Sequence, residues 1–185
     1  MPRQTFNELF DALSTAPTAV ANSTVETIIV PDFVFPAKYF IQGTSFRFTT
    51  VGQISNVVTA VPTVTIRVRI GPSTLSGTAV FATQALAANT TANTNLTWRM
   101  EGYGTCRTSG TAGTILVAGQ IWLPNLGSGT TVGLVGYPNF IPVSGPTTGT
   151  IDTTVANVLS ISAQWSAANA SNSIQPVTHL MEALN

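Results

Sequence analysis

His179 is the only histidine of the chain and Cys106 its only cysteine, so any nucleophilic chemistry has one imidazole and one thiol to draw on. A serine or cysteine nucleophile needs a base within hydrogen-bond reach, and every such arrangement would have to recruit His179. That residue lies in Val177-Thr178-His179-Leu180-Met181, near the end of a carboxyl-terminal strand, and reads as a satisfied structural histidine. Cys106 lies in Gly104-Thr105-Cys106-Arg107. Its basic neighbour points to the opposite face of a strand, so Cys106 reads as a small core residue.

Acid and base work could also fall to carboxylates, of which there are seven: Glu8, Asp11, Glu26, Asp32, Glu101, Asp152 and Glu182. Two sit together near the amino terminus and the rest are scattered, so no pair stands out for glycoside hydrolysis. Arg99 and Glu101 share a strand face and would form cross-strand ion pairs with Arg67 or Arg69. There is no Cys-x-x-Cys, no histidine pair and no acidic loop of the calcium type. The glycines between residues 127 and 149 match neither the dinucleotide fingerprint nor the P-loop. The expectation is a protein that is not an enzyme and holds no metal or cofactor.

Carbohydrate binding passes this filter, because Trp98, Trp122, Trp165, Tyr103 or Tyr137 would stack on sugar rings if exposed. Trp98 and Trp165 alternate with polar residues and read as core. Trp122 lies between Ile121 and Leu123 and fits either face, which leaves Trp122 and Tyr137 as the candidates for glycan stacking.

Charge is scarce overall. Seven basic and seven acidic residues among 185 make 8% charged, about a third of the usual share. Thr, Ser, Ala and Asn fill the gap. Charge removed from water must be paired or it costs free energy, so a surface made to be covered by neighbours does well without it. A net charge of zero and a pI near 6.5 give no electrostatic footprint for nucleic acid or an anionic membrane. No apolar run reaches 18 residues, since Ile28 to Ile41 is broken by Pro31, Asp32, Pro36 and Lys38. Asn7, Glu8 and Asp11 interrupt any secretory signal, and a lone cysteine suits a reducing cytoplasm.

The elements that must carry these residues follow from periodicity. Phe6, Leu9, Phe10 and Leu13 fall at i, i+3, i+4 and i+7, which predicts a short amphipathic helix over residues 5 to 14, followed by a linker to residue 20. Its stripe must dock either on its own domain or on a neighbouring subunit. From about residue 24 the period becomes two. Strands are expected at 43–51, 61–70, 78–86, 95–107, 114–123, 157–165 and from 173 to the end. Val64, Ile66, Val68 and Ile70 alternating with Thr63, Thr65, Arg67 and Arg69 is the clearest case.

Residues 124 to 149 carry ten prolines and glycines together with Tyr137, Phe140 and Ile141. They read as an ordered excursion, either a subunit contact or a long crossover. The expected fold is all-β: an antiparallel sandwich, a jelly roll of about eight strands over residues 21–185, with residues 1–20 as a helical arm and linker.

The segment Thr153-Thr154-Val155-Ala156-Asn157-Val158-Leu159-Ser160-Ile161-Ser162-Ala163-Gln164-Trp165-Ser166, running on to Ala170-Ser171-Asn172-Ser173-Ile174, resembles a pattern in small structural proteins of tailed bacteriophages. The strand end Arg67-Val68-Arg69-Ile70-Gly71 with its Thr/Gly-rich turn resembles it too. The likeness spans roughly residues 40 to 185 and brings no catalytic residues. It implies a jelly-roll module that decorates a capsid or forms part of a tail or fibre. Its partners would be the major capsid protein and further copies of itself, with a trimer favoured, and its place the capsid surface of a virion assembled in the host cytoplasm. Phe6, Leu9, Phe10 and Leu13 would anchor the arm on the shell, and Tyr137, Phe140 and Ile141 would add contacts. Deletion of residues 1 to 19 would then release the protein from the shell and leave the sandwich folded. The alternative is a tail-fibre or receptor-binding module recognising host surface glycans.

Overall fold

The computed structural model describes residues 7–57, 62–83, 85–87, 92–123, 138–141 and 148–184. In chain order the strands are β1 (Asn7–Ala12), β2 (Val20–Ala21), β3 (Thr27–Phe35), β4 (Ser45–Asn56), β5 (Thr63–Gly71), β6 (Thr78–Ala82) and β7 (Leu86–Ala87). There follow β8 (Asn93–Thr108), β9 (Gly113–Trp122), β10 (Pro138–Ile141), β11 (Thr148–Ile151), β12 (Asn157–Trp165) and β13 (Ser173–Leu184). No helix occurs among the described residues.

Two antiparallel sheets pack face to face as a β-sandwich. The larger runs β1-β13-β4-β8-β9-β10, with β11 also on β9 and β2 on β13; the smaller runs β3-β12-β5-β6, with β7 on β5. The chain crosses repeatedly between them, and β3 packs against β13 and β4 while β6 packs against β4 and β9. Alternation decides which side chains meet in the middle. On β5, Val64, Ile66, Val68 and Ile70 are fully buried while the threonines and arginines between them face outward. Trp98 and Met100 of β8, Ile115 and Val117 of β9, and Ile161 and Trp165 of β12 fill the rest of the core.

β4 and β8 fit by size as well as by polarity. Phe46 lies opposite Gly104 and Phe48 opposite Gly102. Each ring lies across its partner glycine: a Cβ on Gly104 would stand 2.2 Å from Phe46, and one on Gly102 2.3 Å from Phe48. The absent side chains are the space that the aromatic rings occupy.

The expected amino-terminal helix is not formed over the described residues. Asn7–Ala12 is strand β1, hydrogen-bonded to the outer edge of β13. An isolated helix of two or three turns is marginal in water, whereas an exposed sheet edge offers a row of ready backbone partners. The pairing carries a bulge between Leu9 and Asp11, opposite Glu182 and Met181. A bulge inserts a residue and re-aims its side chain. Phe10, the inserted residue, turns toward the interior and stacks on Phe33 at 5.6 Å, with Phe35 and Tyr39 edge-on to it. Helical spacing arises here by accident of that bulge.

Downstream the chain stays on the same edge. Leu13 N donates to His179 O at 3.1 Å, Gln175 Nε2 donates to Pro17 O at 2.7 Å, and β2 pairs with Ser173 and Ile174. Residues 7–21 thus line β13 from end to end. Removing residues 1–19 would strip an edge strand and uncover the Phe33/Phe35/Tyr39 cluster, so that deletion does not leave the sandwich untouched.

Candidate functional site

The two side chains best suited to base or nucleophile chemistry, His179 and Cys106, are both buried. His179 is 2% exposed, its Nδ1 2.9 Å from Thr50 Oγ1 of the neighbouring strand β4. Burial holds its pKa down at about 4, against a smaller upward pull from Asp11. A base so sealed has no access to substrate. Cys106 is buried, its thiol donates to Thr108 O at 3.3 Å, and burial raises its pKa. Among the described residues, no group of three His, Cys, Asp or Glu is placed to hold a metal. No helix there is long and apolar enough to cross a membrane.

On the outer face of the smaller sheet, Glu26 accepts from Arg69 Nε at 2.8 Å and from Ser162 Oγ at 2.6 Å, with Arg67 at 3.6 Å. The Arg69 hydrogen bond is the largest reason why the Glu26 carboxyl titrates below its ordinary value, and burial opposes it. Arg67 and Arg69 therefore serve Glu26, and the pairing expected between them and Glu101 is not made. They stand in the other sheet. Asp152 accepts from the backbone N and hydroxyl of Thr154 and caps a turn, which lowers its pKa.

The outer face of the larger sheet changes character across its width. At the β1–β13 side it exposes three apolar side chains: Leu9 is 58% exposed, Leu180 42% and Val177, at the bulge in β13, 47%. Leu9 faces Glu182 and Leu180 faces Ala12 across the β1–β13 pair, so the two leucines are near neighbours. Toward β8 and β9 the face is polar and aromatic. Arg47 pairs with Glu182. Glu101 accepts from Arg99 Nη2 at 2.9 Å and from Gln120 Nε2. The Arg99 guanidinium lies 5.2 Å from the centroid of the Trp122 ring.

The sequence candidates fall at opposite edges of this sheet, about 24 Å apart at five inter-strand steps. Leu9 is exposed on β1, Leu13 is half-buried just beyond it, and Phe10 is drawn inward. Phe140 and Ile141 lie on β10, opposite Gln120 and Gly119 of β9. Phe6 and Tyr137 lie outside the described residues. Trp122 is on the outer face, partly exposed, while Trp98 and Trp165 are buried as their alternation predicts. Sequence reasoning missed Val177 and Leu180 as surface residues. Their exposure comes from the β13 register shift between Pro176 and Thr178, which no periodicity reveals.

Compared with family models, with curated proteins and with solved structures, the chain matches none of them.

Proposed function

We propose that this protein is a structural component of a virus particle, a decoration or cement protein that stabilises the capsid shell through non-covalent contacts. Its partners in this reading are the major capsid protein and other copies of the chain, a trimer favoured because heterologous contacts around a three-fold axis close a ring. The carrying observation is the apolar strip of Leu9, Val177 and Leu180, on a surface whose neighbouring charges, Arg47 with Glu182 and Arg99 with Glu101, are already paired. Such a strip gains free energy when covered, and those two ion pairs would enter a contact already compensated. A protein that binds only the assembled shell stabilises it by mass action.

The strip gives the test. Leu9→Glu with Leu180→Glu should lower shell occupancy by at least about tenfold at fixed protein concentration, since each leucine buried is worth roughly 1.5 to 3 kcal/mol. Sedimentation of shells with bound protein measures this, and the melting temperature of the free variant should stay within a few degrees of the parent. Undiminished occupancy would remove the strip from the contact.

A further inference from the structure

The polar half of the same face has a different chemistry. Tyr103 of β8, 50% exposed, stands opposite the small Ala118 of β9, and Trp122 lies four residues further along β9. By strand geometry the two rings are about 13 Å apart. Glu101 and Gln120 face each other between them and Arg99 stands beside Trp122, all joined through Glu101, whose carboxylate accepts from both of the others. These planar groups hold one another in place, and the guanidinium also packs on the indole. The row is electrically neutral, because its one cation and one anion are partners.

We infer that this row is a binding site for a neutral oligosaccharide lying along β9. Trp122 and Tyr103 supply flat apolar platforms for the C–H faces of sugar rings. Glu101, Gln120 and Arg99, pre-oriented by their mutual hydrogen bonds, supply donors and acceptors for ring hydroxyls. The aromatic span accommodates a short run of pyranose units, and Ala118 leaves the floor beside Tyr103 low. The Arg99–Glu101 pairing selects against anionic sugars between the rings, since a ligand carboxylate would compete with Glu101 for Arg99. The inference stands apart from the shell reading: it concerns β8 and β9, whereas the apolar strip is on β1 and β13.

Isothermal titration of the full chain with cellohexaose, chitohexaose and maltohexaose, and with hexagalacturonate as the acidic counterpart, decides it. The expected result is saturable binding of at least one neutral hexasaccharide, weakened about tenfold by Trp122→Ala and likewise by Tyr103→Ala. Thermal melts confirm that both variants fold, as surface positions should allow. In the parent, ligand should also perturb tryptophan fluorescence, because Trp122 is at the surface while Trp98 and Trp165 are buried. Three outcomes overturn the inference: no saturable binding of any neutral hexasaccharide, binding unchanged in both variants, or preference for hexagalacturonate.

Discussion

Replacing Gly102 or Gly104 by alanine should cost about 3 kcal/mol each, the upper end for forcing a methyl group into a filled core. Phe46 and Phe48 are fully buried, and a new Cβ would come within 2.2 to 2.3 Å of their rings. Relief would need both sheets to part, because Phe46 also packs on Phe35 and Phe40, and Phe48 on Phe81 of β6. A domain of ordinary stability has about 5 to 15 kcal/mol to lose, so the double variant should show little folded protein. Urea unfolding followed by circular dichroism measures the singles. Unfolding free energies within about 0.5 kcal/mol of the parent would contradict the Phe-over-Gly packing.

Acid should weaken the fold through His179. In the unfolded chain the imidazole takes a proton near 6.5, its ordinary value, whereas in the folded protein burial resists protonation until about pH 4. Between those values the unfolded state binds more protons, so stability falls as the pH falls. The contribution is complete above pH 6.5 and is lost at up to about 1.4 kcal/mol per pH unit, on the order of 3 kcal/mol by pH 4. Glu26, whose pKa is lowered, begins to lose its contribution only as the pH falls through the ordinary carboxylate value of 4.5, which leaves the window from pH 6.5 to 5 clear. His179→Gln keeps a hydrogen-bonding partner for Thr50 and removes the titration. Its unfolding free energy should be nearly flat across that window, while the parent's slopes. Equal slopes would show that His179 does not carry the effect.

The parts of the fold legible in the sequence are those in which one physical signal acts alone. β5, β9 and β12 sit centrally or pair on both sides, and their alternation predicted their bounds within about two residues. β3 was harder to see, because Pro31 and Asp32 interrupt its apolar run; as an edge strand with register shifts against β12 it tolerates both. β1 misled because a bulge makes a strand mimic helical spacing around Phe10. The Phe-x-Phe of β4 and Gly-x-Gly of β8 are plain in the sequence, but only the pairing register shows that they belong together.

The site divides along the same line. His179, Cys106, Trp98 and Trp165 could be assigned to the interior because alternation fixes a face. Which outward residues adjoin one another depends on neighbours distant in sequence, as with Glu101 and Gln120 across β8 and β9, or Leu9 and Leu180 across β1 and β13. The scarcity of charge was visible from composition. Its use was not: Glu26, Glu101 and Glu182 each hold an arginine on a sheet face.

The proposed role is tested most directly by counting. Quantitative mass spectrometry of intact virus particles, with the major capsid protein as internal reference, gives the copy number of this chain per particle. A decoration protein is present in a fixed stoichiometric ratio to the shell subunit and is lost from disassembled shell protein, and that is the expected result. Absence from the particle, or a handful of copies confined to the tail fraction, would contradict it.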